Sequence, residues 1–338
     1  MNSSSRWPFV LPAIPSEADL ESEDRCNSNI ASPSISVVIS TRNRVSSVMQ
    51  CVQSVLQNTT PNFELLLIDQ GDDRALESAL RLFAGDHRLR YVYSATKGLS
   101  AGRNLGIQQV RSELVACTDD DCRVPKDWLQ RMNAVMSVDC RIAAVYGNVR
   151  PSATGHPDGF IPGCLRPTPF TAKSIRDQHR VDGMAGCLGL RRSAWERLGG
   201  FDEMLGAGAR FLAAEDLDFG IRALLGGYFV SATPDVEVTH DGFRPWSDGK
   251  RLIEGYLYGI GAMTAKHVKC GNWGIFFYLA HLLLRWAVTG PVVEFGHQPP
   301  RWPRLTAFLR GSLAGFATPI MRDNSLFKCS GALVERTG

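Results

Sequence analysis

The chain has 338 residues, 44% of them apolar and 21% charged, which suits one large α/β domain with or without an appendage. A formal net charge of +3 is too small to imply nucleic-acid binding, and no such partner is expected. The nine cysteines (26, 51, 117, 122, 140, 164, 187, 270 and 329) are scattered and form no CxxC pair. That argues against a zinc site or a disulfide framework and favours a reducing, cytoplasmic compartment.

Residues 1–33 are rich in Ser, Pro, Asp and Glu, with a short apolar patch at Phe9–Leu11. They read as a flexible leader without the basic start and long apolar run of a secretory signal. Ile35-Ser-Val-Val-Ile39 predicts a buried strand, and Ser46–Gln57 an amphipathic helix with Val48, Cys51, Val52 and Val55 on one face. Phe63–Asp69 and Arg74–Phe83 repeat the strand–helix pair, as do Leu89–Tyr93 and Leu99–Val110, and Glu113–Thr118 adds a fourth strand. This alternation predicts an α/β fold with a mostly parallel central sheet and helices on both faces. Ligands in such sheets bind beyond the carboxyl ends of the strands, which singles out Ser40–Arg44, Asp69–Asp73 and Asp119–Asp121.

Residues 151–182 form a Pro- and Gly-containing break with little periodicity, long enough to be a functional loop. Ala185–Leu190 then reads as a strand, Ala213–Leu225 as a helix stopped by Gly226-Gly227, and Tyr228–Ser231 as a further strand. From 246 to 338 the chain is expected to be a helical extension, with helices at Leu252–His267, Trp273–Ala287 and Arg301–Phe316. The middle one is too short for a bilayer span and carries Arg285. The last mixes Arg301, Arg304 and Arg310 with Leu305, Phe308, Leu309, Leu313 and Phe316. That mixture suits a helix lying in a membrane interface, and equally one packed on the main domain.

Chemistry is concentrated in Thr118-Asp-Asp-Asp-Cys122, directly after a predicted strand. Three consecutive carboxylates repel one another unless solvent or a cation compensates, and oxygen-rich sites suit Mg²⁺ or Mn²⁺. A solvated acidic turn capping the helix that begins near Pro125 is the plainer alternative. Lys97–Gly106 is a Gly-rich run leading into a helix, with Lys97 and Arg103 available to an anionic diphosphate, yet it matches neither a dinucleotide fingerprint nor a P-loop. Glu215-Asp216 opens a helix, where acids also stabilise the dipole. Asp218 is expected to face solvent or to pair with Arg222.

Seven segments together resemble glycosyltransferase family 2, the inverting enzymes of GT-A fold. They are ISVVISTRNR (35–44), LLLIDQGDD (65–73), KGLSAGRNLGI (97–107), TDDDC (118–122), GGFDE (199–203), AEDLDFGIR (214–222) and VTH (238–240), in the family's order. The resemblance implies a catalytic domain over 34–245, with a nucleotide-binding half at 34–122 and an acceptor half at 123–245. It implies that Thr41, Arg42, Asp69, Lys97, Arg103, Asp119 and Asp120 contact a nucleotide-diphospho-sugar donor, with Asp69 on the base. Asp119 and Asp121 match the D-x-D motif, so that Asp121, Asp119 and His240 hold the divalent metal, Mn²⁺ or Mg²⁺. Asp216 matches the proposed catalytic base. Gln70, Asp72 and Cys187 depart from frequent family residues, which leaves the base and the acceptor class open.

An inverting transfer needs a cation for the departing diphosphate and a carboxylate for the acceptor's proton, so these residues suit the chemistry. Trp195, Phe201, Phe243 and Trp246 are candidates for stacking on a sugar. The expected acceptor is a glycan or lipid-linked intermediate of envelope polysaccharide or glycolipid synthesis, reached at the inner face of the membrane through residues 250–320. Two rivals are a nucleotidyltransferase, disfavoured because Ser40–Arg44 has no glycine, and a non-catalytic sugar-nucleotide-binding scaffold, disfavoured because Asp119, Asp121 and Asp216 are all present.

Overall fold

Four strands with continuous apolar runs build the first half of the sheet. β1 (Ile35–Thr41), β2 (Phe63–Asp69), β3 (Leu89–Tyr93) and β4 (Leu114–Asp119) lie in the order β3-β2-β1-β4, all parallel. Every residue of β1 and β2 is buried, as a sheet covered on both faces requires. The helices between them are α1 (Val45–Leu56), α2 (Ala75–Ala79) and α3 (Leu99–Gln109). α1 buries Val48, Cys51, Val52 and Val55, the stripe its sequence spacing predicts. The predicted Arg74–Phe83 helix is α2 continued by a 3-10 turn over Leu80–Phe83. The computed structural model describes residues 33–153, 157–288 and 301–328, so all of the expected leader except Pro33 lies outside the described residues.

The parallel arrangement stops at β4. After the short β5 (Cys122–Arg123) and α4 (Trp128–Met136) come β6 (Ile142–Pro151), β7 (Gly159–Phe160), β8 (Phe170–Ala172) and β9 (Cys187–Arg191). β9 runs antiparallel to both β4 and β6, because no helical crossover separates it from the preceding loop. The break at 151–182 is therefore only partly irregular: β8 pairs with the main sheet, and a 3-10 turn spans Ile175–Arg180.

α5 (Arg192–Arg197) and α6 (Glu215–Leu225) lead to β10 (Phe229–His240), far longer than the predicted Tyr228–Ser231. The turn-like Thr233-Pro-Asp is absorbed as a register shift between Ala232 and Glu237, after which pairing with β6 resumes. After β11 (Arg244–Pro245) the extension forms α7 (Trp246–Lys269), α8 (Ile275–Val288) and α9 (Arg301–Ala317), followed by the hairpin β12 (Ile320–Met321) and β13 (Leu326–Phe327). Gly261 and Gly311 let α7 and α9 approach closely: a Cβ on Gly261 would lie 2.2 Å from the Phe308 carbonyl oxygen. Among the described residues no helix is long and apolar enough to cross a membrane.

A wholly buried ion network ties α7 to α6. Lys266 Nζ lies 2.7 Å from Asp202 and 2.6 Å from Asp218. Asp218 also meets Arg222 at 2.8 Å and His267 Nε2 at 3.0 Å. Asp218 is thus tied to Arg222 but does not face solvent, because α7 covers that side of the helix.

Candidate active site

Three strand ends build the site. β1 and β4 are neighbours in register, Ser40 opposite Asp119, which sets Thr41 beside the acidic triplet. Thr41 Oγ1 donates to Asp120 at 2.6 Å, and Arg44 donates to Asp120 at 3.0 Å and to Asp121 at 2.9 Å. β5 then pairs antiparallel with the end of β10, His240 opposite Cys122. This register brings His240 Nε2 within 3.2 Å of Asp121, with Arg244 at 3.7 Å.

These cations answer the mutual repulsion of the carboxylates. Burial by itself would raise Asp121, but His240, Arg44 and Arg244 outweigh it and hold its carboxyl below the ordinary range. Asp120 goes the other way: burial exceeds the help of Thr41 and Arg44 and pushes it up. For His240, burial lowers the imidazole while the adjoining Asp121 raises it, and the net shift is upward.

The Asp121–His240 pair fits a divalent cation. His240 Nδ1 lies 2.7 Å from the Pro162 carbonyl oxygen, which only accepts, so Nδ1 carries a proton and Nε2 is the nitrogen presented to Asp121. Gly242 closes over the gap: a Cβ there would stand 2.4 Å from Asp121 Oδ2 and 2.6 Å from His240 Nε2. The two donor atoms therefore converge on a space the size of one atom, close to metal–ligand range. Cys122 Sγ belongs to the same group, but its thiol is 1% exposed, pushed far up by burial, and too soft for Mg²⁺ or Mn²⁺. Asp119 is not of this group; its carboxylate takes Arg103 at 2.7 Å.

Arg103, on α3, is 1% exposed and bridges two halves of the site. It donates to Asp119, to Glu215 at 3.3 Å and to the Ala185 carbonyl at 3.3 Å. Asp216 follows Glu215 in the first turn of α6 and is half-buried on the cavity wall. Its Oδ1 accepts the Leu217 N–H at 2.7 Å, and Tyr146 anchors its backbone carbonyl at 2.8 Å. Burial pushes both carboxyls up, helped at Glu215 by the charge of Asp216 and at Asp216 by that of Asp119. The approach to α6 is strained, with Leu212 at φ 63° and Ala214 at φ 75° in the left-handed region.

One cavity of about 760 Å³ joins these parts, walled by Thr41, Arg42, Asp119–Asp121, Glu215, Asp216 and His240 among others. Arg103 also reaches it. Asp69 and Lys97 are not on its wall. Asp69 accepts the Gly71 N–H at 2.8 Å and the Tyr91 hydroxyl at 2.9 Å, while Lys97 binds the Gln70 and Gly71 carbonyls. Arg42 and Lys97 both lie 3.3 Å from Asp72, so these residues shape the loop after β2. Of the four aromatics proposed for stacking, Trp195 and Phe201 are core residues, Trp246 stacks on Phe160, and none lines the cavity. Tyr146, Tyr256 and Tyr278 line it instead, and no sequence signal distinguished them from packing residues. Arg44 also went unassigned, although its place after the first strand was a usable signal.

A sheet of this topology, with an acidic motif at the end of β4 and a histidine at the end of β10, defines a GT-A type sugar-nucleotide transferase fold. Residues 36–199 match the Glycosyl transferase family 2 model. The chain is similar to that family over those residues, which make up just under half of its length. It is 27% identical over 235 residues to the glycosyltransferase AglE of Haloferax volcanii, covering 68% of this chain and 73% of that protein. It is 33% identical over 96 residues to an uncharacterized glycosyltransferase of Rickettsia felis, covering 28% of this chain and 16% of that one. Several curated relatives are thus far longer: the chain spans less than a quarter of their length. Among solved structures, the mannosyltransferase PcManGT of Pyrobaculum calidifontis, in complex with GDP-Man and Mn²⁺, superposes with a TM-score of 0.52 at 18% identity. That match covers 85% of this chain and 87% of PcManGT, and it bears on the fold.

Proposed function

We propose that this protein is a metal-dependent, inverting glycosyltransferase that moves a sugar from a nucleoside diphosphate to an acceptor hydroxyl, in polysaccharide or glycolipid synthesis. The observation that carries this is the meeting of the Asp121–His240 pair and the Asp216 carboxylate on one cavity wall. Asp121 and His240 would hold the cation, which would neutralise charge on the leaving diphosphate. Thr41 and Arg44 fix Asp120 and Asp121, and Arg103 clamps Asp119 to the first turn of α6. Asp216 accepts the proton of the attacking hydroxyl as its oxygen bonds to the anomeric carbon. The bond from that carbon to the diphosphate breaks on the opposite face, and the nucleoside diphosphate leaves. Asp69 and Lys97 act through the β2–α3 side of the donor site by fixing the loop at Gln70–Asp72.

The test is nucleoside diphosphate release from a panel of UDP-, GDP- and dTDP-sugars with Mn²⁺ or Mg²⁺. Metal-dependent release from one donor, lost in Asp121→Ala, supports the reading. Loss of turnover with retained donor binding in Asp216→Ala supports the base. Release of pyrophosphate instead marks a nucleotidyltransferase, and donor binding without turnover marks a scaffold.

A second observation bears on location. Trp302, Leu305, Leu309, Leu313 and Phe316 are exposed at helical spacing along one side of α9, with Arg310 exposed beside them. Arg304, grouped with them by sequence, is instead 6% exposed and belongs to the packed side. This stripe supports peripheral contact with a membrane. Flotation with anionic liposomes, lost in Leu309→Asp/Leu313→Asp, is the expected result; no flotation of the wild type removes the reading.

A further inference from the structure

Exposed arginines such as Arg123, Arg131, Arg141 and Arg150 each meet a carboxylate at 2.6 or 2.7 Å. The segment over residues 166–180 departs from this pattern. It carries Arg166, Lys173, Arg176 and Arg180 against one interleaved carboxylate, Asp177. Among the described residues none of these four cations is in an ion pair. Lys173 lies 5.3 Å from the Phe229 ring, Arg176 4.8 Å from Phe277 and Arg180 3.3 Å from Phe170, while Arg166 donates to the Arg180 carbonyl. Lys173, Arg176 and Arg180 are all exposed, so the rings hold the side chains while their charge stays uncompensated.

This cationic face is continuous with an apolar one. The 3-10 turn over Ile175–Arg180 packs on α8, where Arg176 covers Phe277 and the His179 and His281 rings stack at 3.7 Å. Trp273, just before α8, and Phe276, Phe277, Ala280 and Leu284 on it are exposed, at the spacing of one helix face. Ile275 and Tyr278, on the other side of the helix, are buried. Trp273 is 65% exposed and Leu284 62%, and Trp273 stacks on Phe276 with ring centroids 6.0 Å apart. A contiguous apolar stripe marks a contact surface, and the lysine and arginines at its edge select an anionic partner.

A soluble polyanion would match the cations but leave Trp273, Phe276 and Leu284 in water. A bilayer matches both, because aromatic rings settle at the headgroup level while lysine and arginine reach the phosphates. We propose that the face made by residues 166–180 and the exposed side of α8 docks on an anionic lipid surface. This contact is separate from the α9 stripe, and it deepens the peripheral-membrane reading given above. Gln178 and Asp182, next to these cations in sequence, and Tyr278 of α8 line the cavity. Docking through this layer therefore holds the transfer site close to the headgroups, within reach of an acceptor carried on a lipid.

The test is co-sedimentation of the full chain with vesicles of phosphatidylcholine alone or mixed equally with phosphatidylglycerol. Binding is expected on the mixed vesicles only, and added salt weakens it. Arg176→Gln/Arg180→Gln removes two charges and weakens partition about twentyfold, at about fivefold for each basic residue near an anionic surface. Arg176→Lys/Arg180→Lys keeps the charge and most of the binding, and unchanged denaturant midpoints show that both variants are folded. Brominated lipid in the mixed vesicles quenches tryptophan fluorescence, and Trp273→Phe removes part of that quenching. Absence of binding, equal binding to neutral vesicles, undiminished binding of the glutamine pair, or quenching unaltered by Trp273→Phe overturns the proposal. Binding to dextran sulfate as tight as to the mixed vesicles, with Trp273 unquenched, marks a polyanion site instead. Leu309→Asp/Leu313→Asp separates the two faces. If it abolishes binding while the glutamine pair binds normally, the α9 contact stands and this one falls; the reverse result removes the α9 contact alone.

Discussion

Replacing Lys266 by methionine tests how the C-terminal extension supports α6. The buried network holds two carboxylates, Asp202 and Asp218, against two fixed cations, Arg222 and Lys266, with His267 beside them. All five side chains are at most 3% exposed. Methionine fills much of the same space but leaves one negative charge uncompensated. Asp202 then keeps the N–H groups of Met204 and Phe327 and loses its ion-pair partner, while Asp218 keeps Arg222 and His267. Breaking a buried pair in this way costs about 3–5 kcal/mol, a large share of the roughly 5–15 kcal/mol that holds a folded protein together. The assay is denaturant unfolding followed by tryptophan fluorescence, with donor turnover measured on the folded variant. Stability falls by that amount in Lys266→Met and returns in large part in Lys266→Met/Asp202→Asn, where the buried charge balances again. Turnover falls as well, because Asp218 lies two residues from Asp216 on α6. A loss below about 1 kcal/mol would refute the reasoning, since Lys266 would then not be compensating Asp202 and Asp218.

Acid should loosen the same network. Asp218 is held well below the ordinary carboxylate range by Lys266 and Arg222 against the opposing effect of burial, so its contribution is present above about pH 4 and fades as pH falls below it. His267 is lowered mainly by burial, so protons bind the unfolded chain first, and stability declines as pH drops below about 6.5. The contribution of this network should therefore shrink as pH falls, against the opposite effect of the buried carboxylates such as Glu215, so the difference in unfolding midpoint between wild type and His267→Asn should change between pH 8 and pH 5. Gly242→Ala places a methyl between Asp121 and His240, and Mn²⁺ affinity measured by titration should fall at least tenfold without unfolding the sheet. Ala214→Gly removes a left-handed φ of 75° from a residue with a Cβ and should raise stability by about 1 kcal/mol in denaturant melts. The rate of transfer should rise with pH through the ionisation of Asp216. Because burial, with a smaller push from Asp119, raises that group, the acid limb should lie above the value of an exposed aspartate.

The strand-end part of the cavity was legible in the sequence because it is built from local signals. The strands over 35–41 and 63–69 are continuous apolar runs buried on both faces, and a parallel sheet puts their polar ends on one edge. Ser40–Arg44 and the acidic triplet could be singled out for that reason, whereas His240 and Asp216 were named from the resemblance to glycosyltransferase family 2. The distribution of labour inside the motif was not legible. Asp119 and Asp121 are two residues apart, yet one turns to Arg103 and the other to His240, a choice fixed by pairing across 16 and 119 residues. Asp69 and Lys97 carry family-like positions, but Tyr91 and the bend at Gln70–Gly71 take up their polar atoms.

The extension was the least legible part, and for a physical reason. Its amphipathic helices predict a buried face without saying what that face meets. Lys266 and His267 stand in a Thr-Ala-Lys-His-Val-Lys stretch shaped like any exposed helix and differ only in being opposite Asp202 and Asp218. Tyr256 and Tyr278 are ordinary aromatic positions until α7 and α8 fold against β6 and the 162–185 segment and become the far wall of the cavity. An apparent appendage therefore supplies part of the cavity wall and one counter-charge, Lys266, to Asp218 on α6. A truncation before Trp246 would remove both, leaving Asp218 with Arg222 alone and the cavity open beyond Asp216. The boundary expected at residues 245–246 is thus a feature of the sequence pattern, whereas the cavity wall runs across it.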